Sequence, residues 1–242
     1  KRDGDQGGFP IFPLNWEDPQ TGVVSSGYRE QGYLPEAFIN MLLLLGWSSG
    51  DEKELFSMEE AIAAFELEGV TKSGARFNPD KTKWFNEQYL RQLPTDAAVA
   101  AFRESAKGEV DQWDDARCIH VLNMMLERVS FMHEISAHRY LFEAPATLDE
   151  KLVAKKWKPE TAGYVLQLKA VLASVESFDS SSIETVFKAF LEENNLGFGA
   201  VLLPFRLVLT GTGGGPSMFD FAAFLGREET MRRIDLGLAK VS

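Results

Sequence analysis

Apolar residues recur at helical spacing along most of this 242-residue chain, and residues 32–47 show the pattern most clearly. Pro35 suits the first turn of a helix, where its missing N–H costs nothing. The spacing predicts one short helix with an apolar surface formed by Leu34, Phe38, Met41, Leu42 and Leu45. Only Asn40 interrupts this surface, so we expect the helix to be covered on nearly all sides. Gly46 is expected to end it in the left-handed conformation.

Two further helices have clear start signals. Ser57 and Glu60 form the pattern of a capping box, which predicts a helix that continues to about Phe65. Asn78 followed by Pro79 is a good N-cap with proline at the first helical position, and it predicts a helix over 80–90. This second helix is expected to bury Trp84, Phe85 and Tyr89.

Residues 94–96, Pro-Thr-Asp, form the expected boundary, because proline disfavours helix at the residue before it. After it the pattern is almost purely helical, and the predicted helices lie near 95–107, 112–141, 160–176, 181–194, 198–209, 216–225 and 228–240. Serine-rich 177–182 and the glycines at 213–215 predict loops. The expected fold class is mainly α, with a small α(+β) region before residue 94.

Composition narrows the class of protein. A net charge of −11 argues against a surface that attracts nucleic acid everywhere, but it permits a local basic face. The single cysteine, Cys118, lies in a helical pattern and indicates a packing role in a reducing cytoplasm. No apolar run approaches the roughly 18–20 residues of a membrane span, so we expect a cytoplasmic protein without membrane contact.

Few residues suggest chemistry of their own. The chain shows no strand–glycine-loop–helix motif for phosphate, and we predict no catalytic residue. His133 and His138 are five residues apart on the predicted 112–141 helix, so they do not share a face as paired metal ligands do, and we predict no metal site.

Arginines are the better candidates, for binding nucleic acid. On the predicted 112–141 helix, Arg117, Met124 and Arg128 fall on nearly one stripe, with His120 close by. The alternative is a solvated face with salt bridges. Arg206 and Thr210 are four residues apart and share a helix face, where helix packing and C-capping are the alternative. Arg232 and Arg233 are expected to lie on the surface.

Several stretches resemble bacterial glutamyl-tRNA synthetases, class I enzymes that charge tRNA with glutamate. GYLPEAFINMLLLLGWS resembles the segment after the signature Lys-x-Ser-Lys-Arg loop, whose last two residues would be Lys1 and Arg2. FSMEE…DKTKWFNEQYLRQL resembles the stem-contact region, ERVSFMHEISAHRYLF resembles a helix of the anticodon-binding region, and the RLVLTG…PSMF…LGRE stretch resembles the closing segment.

The resemblance implies a division into three parts: a stem-contact region with a loop insert at 1–93, and two anticodon-binding subdomains at 94–150 and 151–242. It implies that Arg128 contacts the last anticodon base, and that Arg206 and Thr210 lie beside the anticodon pocket. Lys1 would be the ATP-contacting lysine of the signature loop.

The function expected from this resemblance is to bind the anticodon of tRNA for glutamate. The full-length enzyme would use ATP and Mg²⁺, whereas this chain, lacking the catalytic nucleotide-binding fold, is expected to bind neither and to be inactive alone. We expect a fragment that is a monomer without an obligate protein partner. The alternative is a helical protein-interaction module with no RNA binding.

Overall fold

The computed structural model describes residues 9–72, 74 and 76–241. Within these residues the chain forms eleven α-helices and one two-stranded antiparallel sheet, so the prediction of a mainly α fold is confirmed. The helices are α1 (Pro35–Gly46), α2 (Met58–Ala64), α3 (Pro79–Arg91), α4 (Thr95–Ser105), α5 (Asp115–Met125), α6 (Met132–Ala137), α7 (Glu150–Lys156), α8 (Thr161–Ala173), α9 (Ser180–Glu193), α10 (Phe198–Thr210) and α11 (Met218–Leu238). None of the described helices has the length and apolar character needed to cross a membrane.

The chain divides into two compact units. The first consists of Lys1–Ser105 with Val129–Ile135, and the second of Ala106–Arg128 with Ser136–Ser242. In the first unit, β1 (Trp16–Glu17) pairs with β2 (Val24–Ser25), and α1 packs on α3. Its core contains Tyr28, Ala37, Met41 and Phe85.

A buried asparagine joins three segments of the first unit. The side-chain oxygen of Asn86 accepts a hydrogen bond from the Leu34 amide at 2.8 Å, and its nitrogen donates to the Ser130 carbonyl at 2.6 Å. Because Asn86 is fully buried, these bonds satisfy polar groups that would otherwise be costly to bury. The start of α1 is therefore tied to α3 and to the segment at 130.

The first helix differs from its prediction in two respects. Ile39 and Leu42 are 39% and 49% exposed, so the helix is not covered on nearly all sides. Gly46 remains helical, and Trp47 ends the helix in an extended conformation with φ −140°. Buried Asn40 is explained by the loop it holds, because it donates to the Glu54 carbonyl and accepts from the Phe56 amide.

The predicted starts of these two helices are confirmed, but one residue predicted to be buried on α3 is exposed. Ser57 and Glu60 form a complete capping box, and the Asn78 side chain accepts from the amides of Asp80 and Lys81. Phe85 is buried, but Trp84 is 37% exposed, so the prediction that α3 buries it is wrong.

The second unit is built around α11, which packs against α8, α9 and α10 and also contacts α5. Gly226 interrupts α11 with φ 76° and ψ 167°, a left-handed φ that glycine adopts without a steric penalty. This kink confirms the predicted break between 225 and 228. The sequence analysis did not predict helix α7.

The predicted helix over 112–141 is wrong. Helix α5 ends at Met125, a 3₁₀ turn follows at Leu126–Arg128, α6 covers Met132–Ala137, and a second 3₁₀ turn occupies Arg139–Leu141. The Glu134 carboxylate accepts from the amides of Ser130 and Phe131, which restarts the helix there. Residues on both sides of this break are buried, so the helical spacing of apolar residues continues across it. Periodicity alone therefore did not reveal the break.

Candidate nucleic-acid interface

Two arginines and a tyrosine come together in the second unit. Arg128 is exposed on the first 3₁₀ turn, Tyr140 is 5% exposed on the second, and Arg206 lies half-buried on α10. Burial raises the pKa of Tyr140 to about 12, and the positive charges of Arg206 and Arg128 oppose this rise. Burial also lowers the pKa of Arg206, and the charge of Arg128 lowers it further. We call these three residues the Arg–Tyr cluster.

Arg206 is held in place by the loop after α10. Its Nη1 donates to the Pro216 carbonyl at 2.9 Å. A Cβ atom added to Gly215 would lie 3.3 Å from Arg206 Nη1 and 3.1 Å from Tyr140 Oη. The arginine and the tyrosine hydroxyl therefore both lie beside this glycine. Since a guanidinium has five N–H donors, this contact leaves others to bind a ligand.

The Arg–Tyr cluster is positively charged although the chain is strongly acidic. Within the described ranges, neither Arg128 nor Arg206 pairs with a carboxylate at salt-bridge distance. The acidic side chains Glu109 and Glu143 instead pair with Arg139, at 2.7 and 3.1 Å. Two cations that are not neutralised by the protein favour an anionic or oxygen-rich ligand.

Thr210 has a defined role at the end of α10. It is 3% exposed, and its hydroxyl donates to the Arg206 carbonyl at 2.9 Å and accepts from the Thr212 amide at 3.2 Å. Gly211 follows with φ 76° and closes the helix. Thr210 and Tyr140 line one groove of about 410 Å³. This is the C-capping role considered as the alternative; a contact between Thr210 and RNA stays a prediction.

Arg117 belongs to an aromatic cluster of the same unit. Its guanidinium carbon lies 4.5 Å from the ring centroids of both Trp113 and Phe224, which is cation–π geometry. Met124 is only 8% exposed and α5 ends before Arg128, so the predicted stripe of Arg117, Met124 and Arg128 does not exist. Binding of nucleic acid by Arg117 stays a prediction that rests on its charge alone.

Arg233 is buried, and the prediction that it lies on the surface is wrong. It is 2% exposed, and its Nη1 donates to the carbonyls of Tyr140 at 2.6 Å and Leu209 at 3.1 Å. Its Nε contacts the Glu229 carboxylate at 2.7 Å. Arg233 therefore joins the Tyr140 turn to the end of α10, the two elements that carry the cluster. Arg232, with a side chain 53% exposed, lies on the surface as predicted.

The pairing of Glu229 with Arg232 and Arg233 predicts a loss of stability in acid. Hydrogen bonds from Arg232 and then Arg233 lower the pKa of Glu229 to about 2, against 4.5 for the free side chain. Because the folded pKa is the lower one, this stabilisation is complete above pH 4.5 and is lost as the pH falls towards 2. We expect urea unfolding between pH 5 and about 2.5 to show a smaller acid-induced loss for Glu229→Gln than for the unmodified chain. Equal losses would contradict the assignment.

The described residues show no candidate metal site. They contain no group of three or more His, Cys, Asp and Glu side chains placed to hold a metal ion. Cys118 is fully buried on α5. Lys1, the predicted ATP contact, lies outside the described residues.

The chemistry open to the Arg–Tyr cluster is donation of hydrogen bonds to oxygen or nitrogen acceptors. Arginine only donates, and a tyrosine with its pKa raised to about 12 stays protonated at any ordinary pH. Splayed bases and phosphates of single-stranded RNA loops present such acceptors.

Comparison with known proteins agrees with this chemistry. The family model described as the anticodon-binding domain matches residues 82–238. The chain belongs to this family. Residues 18–84 match the catalytic-domain family of the class I tRNA synthetases for glutamate and glutamine (E and Q). The family's anticodon-binding match contains the whole Arg–Tyr cluster.

The relatives make the likeness more specific. The chain is 42% identical over 235 residues to a glutamate–tRNA ligase of Phocaeicola vulgatus, and this match covers 97% of the chain and 46% of that protein. It is 43% identical over 240 residues to a glutamate–tRNA ligase of Flavobacterium johnsoniae, and this match covers 99% of the chain and 47% of that protein. A crystal structure of a glutamate tRNA ligase from Elizabethkingia meningosepticum superposes with a TM-score of 0.94 at 41% identity, covering 100% of this chain and 48% of that one. The resemblance to glutamyl-tRNA synthetases is confirmed, and the chain spans about half the length of these relatives.

Sequence reasoning missed Tyr140, Gly215 and Arg233, which the structure places in or beside the Arg–Tyr cluster. The only local signal was the spacing of Glu229 and Arg233, which are four residues apart and can pair on a helix. Nothing in the local sequence of Tyr140 indicates that its hydroxyl faces Arg206, because the two residues are 66 positions apart.

Proposed function

We propose that this chain recognises the anticodon of tRNA for glutamate and serves as the tRNA-binding portion of a glutamate–tRNA ligase. The observation that carries the proposal is the Arg–Tyr cluster. It places two arginines without acidic partners, among the described residues, inside the segment that matches the anticodon-binding family. A net charge of −11 argues against a surface that attracts RNA everywhere, so a local positive site carries weight.

Arg128 and Arg206 take different roles in this proposal. Arg128 is exposed and is the residue proposed to donate to the last anticodon base, which is C in glutamate tRNA and G in glutamine tRNA. Arg206, anchored to Pro216, presents its remaining donors to a neighbouring base or phosphate. Thr210 supports the end of α10 from which Arg206 projects.

The wider assignment follows the relatives. The relatives are glutamate–tRNA ligases, and we propose that the complete enzyme joins glutamate to its tRNA with ATP and Mg²⁺. Lys1 is the proposed ATP contact, and no step of that reaction is assigned to the described residues. We further propose a stem-contact region at 1–93 and anticodon-binding subdomains at 94–150 and 151–242, in a monomer that works in the cytoplasm.

A binding titration tests the proposal. We expect the chain to bind glutamate tRNA more tightly than the same tRNA with its last anticodon base changed from C to G. Because phosphate contacts release counterions, affinity should fall as the salt concentration rises, with a modest slope for so acidic a chain. Equal binding to both tRNAs, or none, would favour the alternative of a protein-interaction module.

A further inference from the structure

Tyr140 is held rigidly at the centre of the Arg–Tyr cluster. Its ring packs edge-on against Phe221, with centroids 5.3 Å apart and planes at 84°. Its carbonyl accepts from buried Arg233 at 2.6 Å. Ring and backbone are thus both fixed, so the direction of the hydroxyl is set by the fold rather than by a free rotamer.

The Tyr140 hydroxyl has no hydrogen-bond partner among the described residues, and its oxygen is closed off from solvent. Buried polar atoms are nearly always paired, so an unpaired one in a native fold calls for an explanation. The charged groups that act on it, Arg206 and Arg128, are donors only and cannot accept its proton. The O–H proton of Tyr140 therefore lacks an acceptor in the free chain.

A glycine of the loop after α10 lies beside this hydroxyl and Arg206. The Cβ position of Gly215 lies 3.1 Å from Oη, and Gly215 has φ 133°, a conformation that side chains rarely adopt. Gly214 beside it has open space around its Cβ position. A short backbone movement of this permissive loop would open Oη and Arg206 together to a ligand.

We propose that Tyr140 is an RNA-contacting residue of the site, whose hydroxyl donates to an acceptor oxygen of the bound loop beside Arg206. The proposal rests on the proposed function, because it assumes that RNA binds at the cluster. The acceptor is a phosphate oxygen or the carbonyl oxygen of a base, and both accept in the same way.

Tyr140→Phe removes one oxygen and tests this directly. In the free chain the hydroxyl is unpaired, so the melting temperature should stay the same or rise. Binding of the glutamate tRNA anticodon stem-loop should weaken about tenfold, the scale of one lost hydrogen bond. Unchanged affinity would overturn the proposal, and so would a clear drop in melting temperature, since that would mean the hydroxyl is paired in the free protein.

Tyr164→Phe on α8 is the matched control, because the Tyr164 ring is partly exposed in the same unit. This variant should bind the stem-loop with unchanged affinity.

Stem-loops that carry one methylphosphonate or one base change in the anticodon loop identify the acceptor. A phosphate acceptor predicts that the Tyr140→Phe penalty disappears with one methylphosphonate, and a base acceptor predicts that it disappears with one base change. A penalty that survives every such change would contradict a direct contact. If the unmodified chain binds no RNA, the proposed function fails. If the unmodified chain binds RNA and Tyr140→Phe does not change its affinity, this inference alone fails.

Discussion

Replacing Arg233 by alanine is expected to lower the free energy of unfolding by about 3–5 kcal/mol. The side chain is 2% exposed, and it bonds the Glu229 carboxylate and the carbonyls of Tyr140 and Leu209. Its removal leaves the two carbonyls and the Glu229 carboxylate without this donor, and it leaves a cavity within the packed unit. Urea unfolding followed by circular dichroism measures the loss.

Arg232→Ala is the matched control for this experiment. It lies one residue away on α11 and contacts the same Glu229, but its side chain is 53% exposed. Exposed ion pairs contribute at most about 1 kcal/mol, so we expect a small effect. Similar losses in the two variants would show that burial of Arg233 does not contribute as proposed.

Replacing Arg128 by glutamine is expected to reduce discrimination at the last anticodon base by about 1–3 kcal/mol, the scale of one lost base contact. Arg128 is exposed on a short 3₁₀ turn, and its charge reaches Tyr140 and Arg206. Glutamine cannot present the charged, forked donor of arginine. The measurement compares affinities for glutamate tRNA with C and with G at that position.

Lys188→Gln on α9 provides the control for charge. It also removes one positive surface charge, and its amine pairs with Glu184 on the same helix. We expect this variant to keep the C-over-G preference, with at most a small uniform change in affinity. A preference that is unchanged in Arg128→Gln would remove Arg128 from the site.

Local signals predicted the parts of the fold that depend on a few adjacent residues. The Ser57 capping box, the Asn78–Pro79 start and the break near Gly226 were all placed correctly. Each depends on hydrogen bonds or backbone preferences within one helical turn, so the necessary information lies in neighbouring letters.

The errors lie where distant segments decide the outcome. The break after Met125 leaves apolar spacing intact, since Val129, Met132 and Ile135 are all buried beyond it. Trp84 and Leu42 have apolar side chains but remain 37% and 49% exposed, because no described segment fully covers them. Periodicity reports which side chains can be buried, whereas packing determines which ones are.

The sequence by itself determined that this protein is mainly helical, that its family is that of the glutamyl-tRNA synthetases, and that Arg128 and Arg206 are candidates to contact RNA. Only the tertiary structure decided that these two arginines act on a single tyrosine, that Arg233 is buried and bonds the carbonyl of that tyrosine, and that Arg117 stacks against aromatic rings. The physical reason is that capping and helical periodicity act within a few residues. Burial and charge–charge interaction depend instead on distances between segments far apart in the chain.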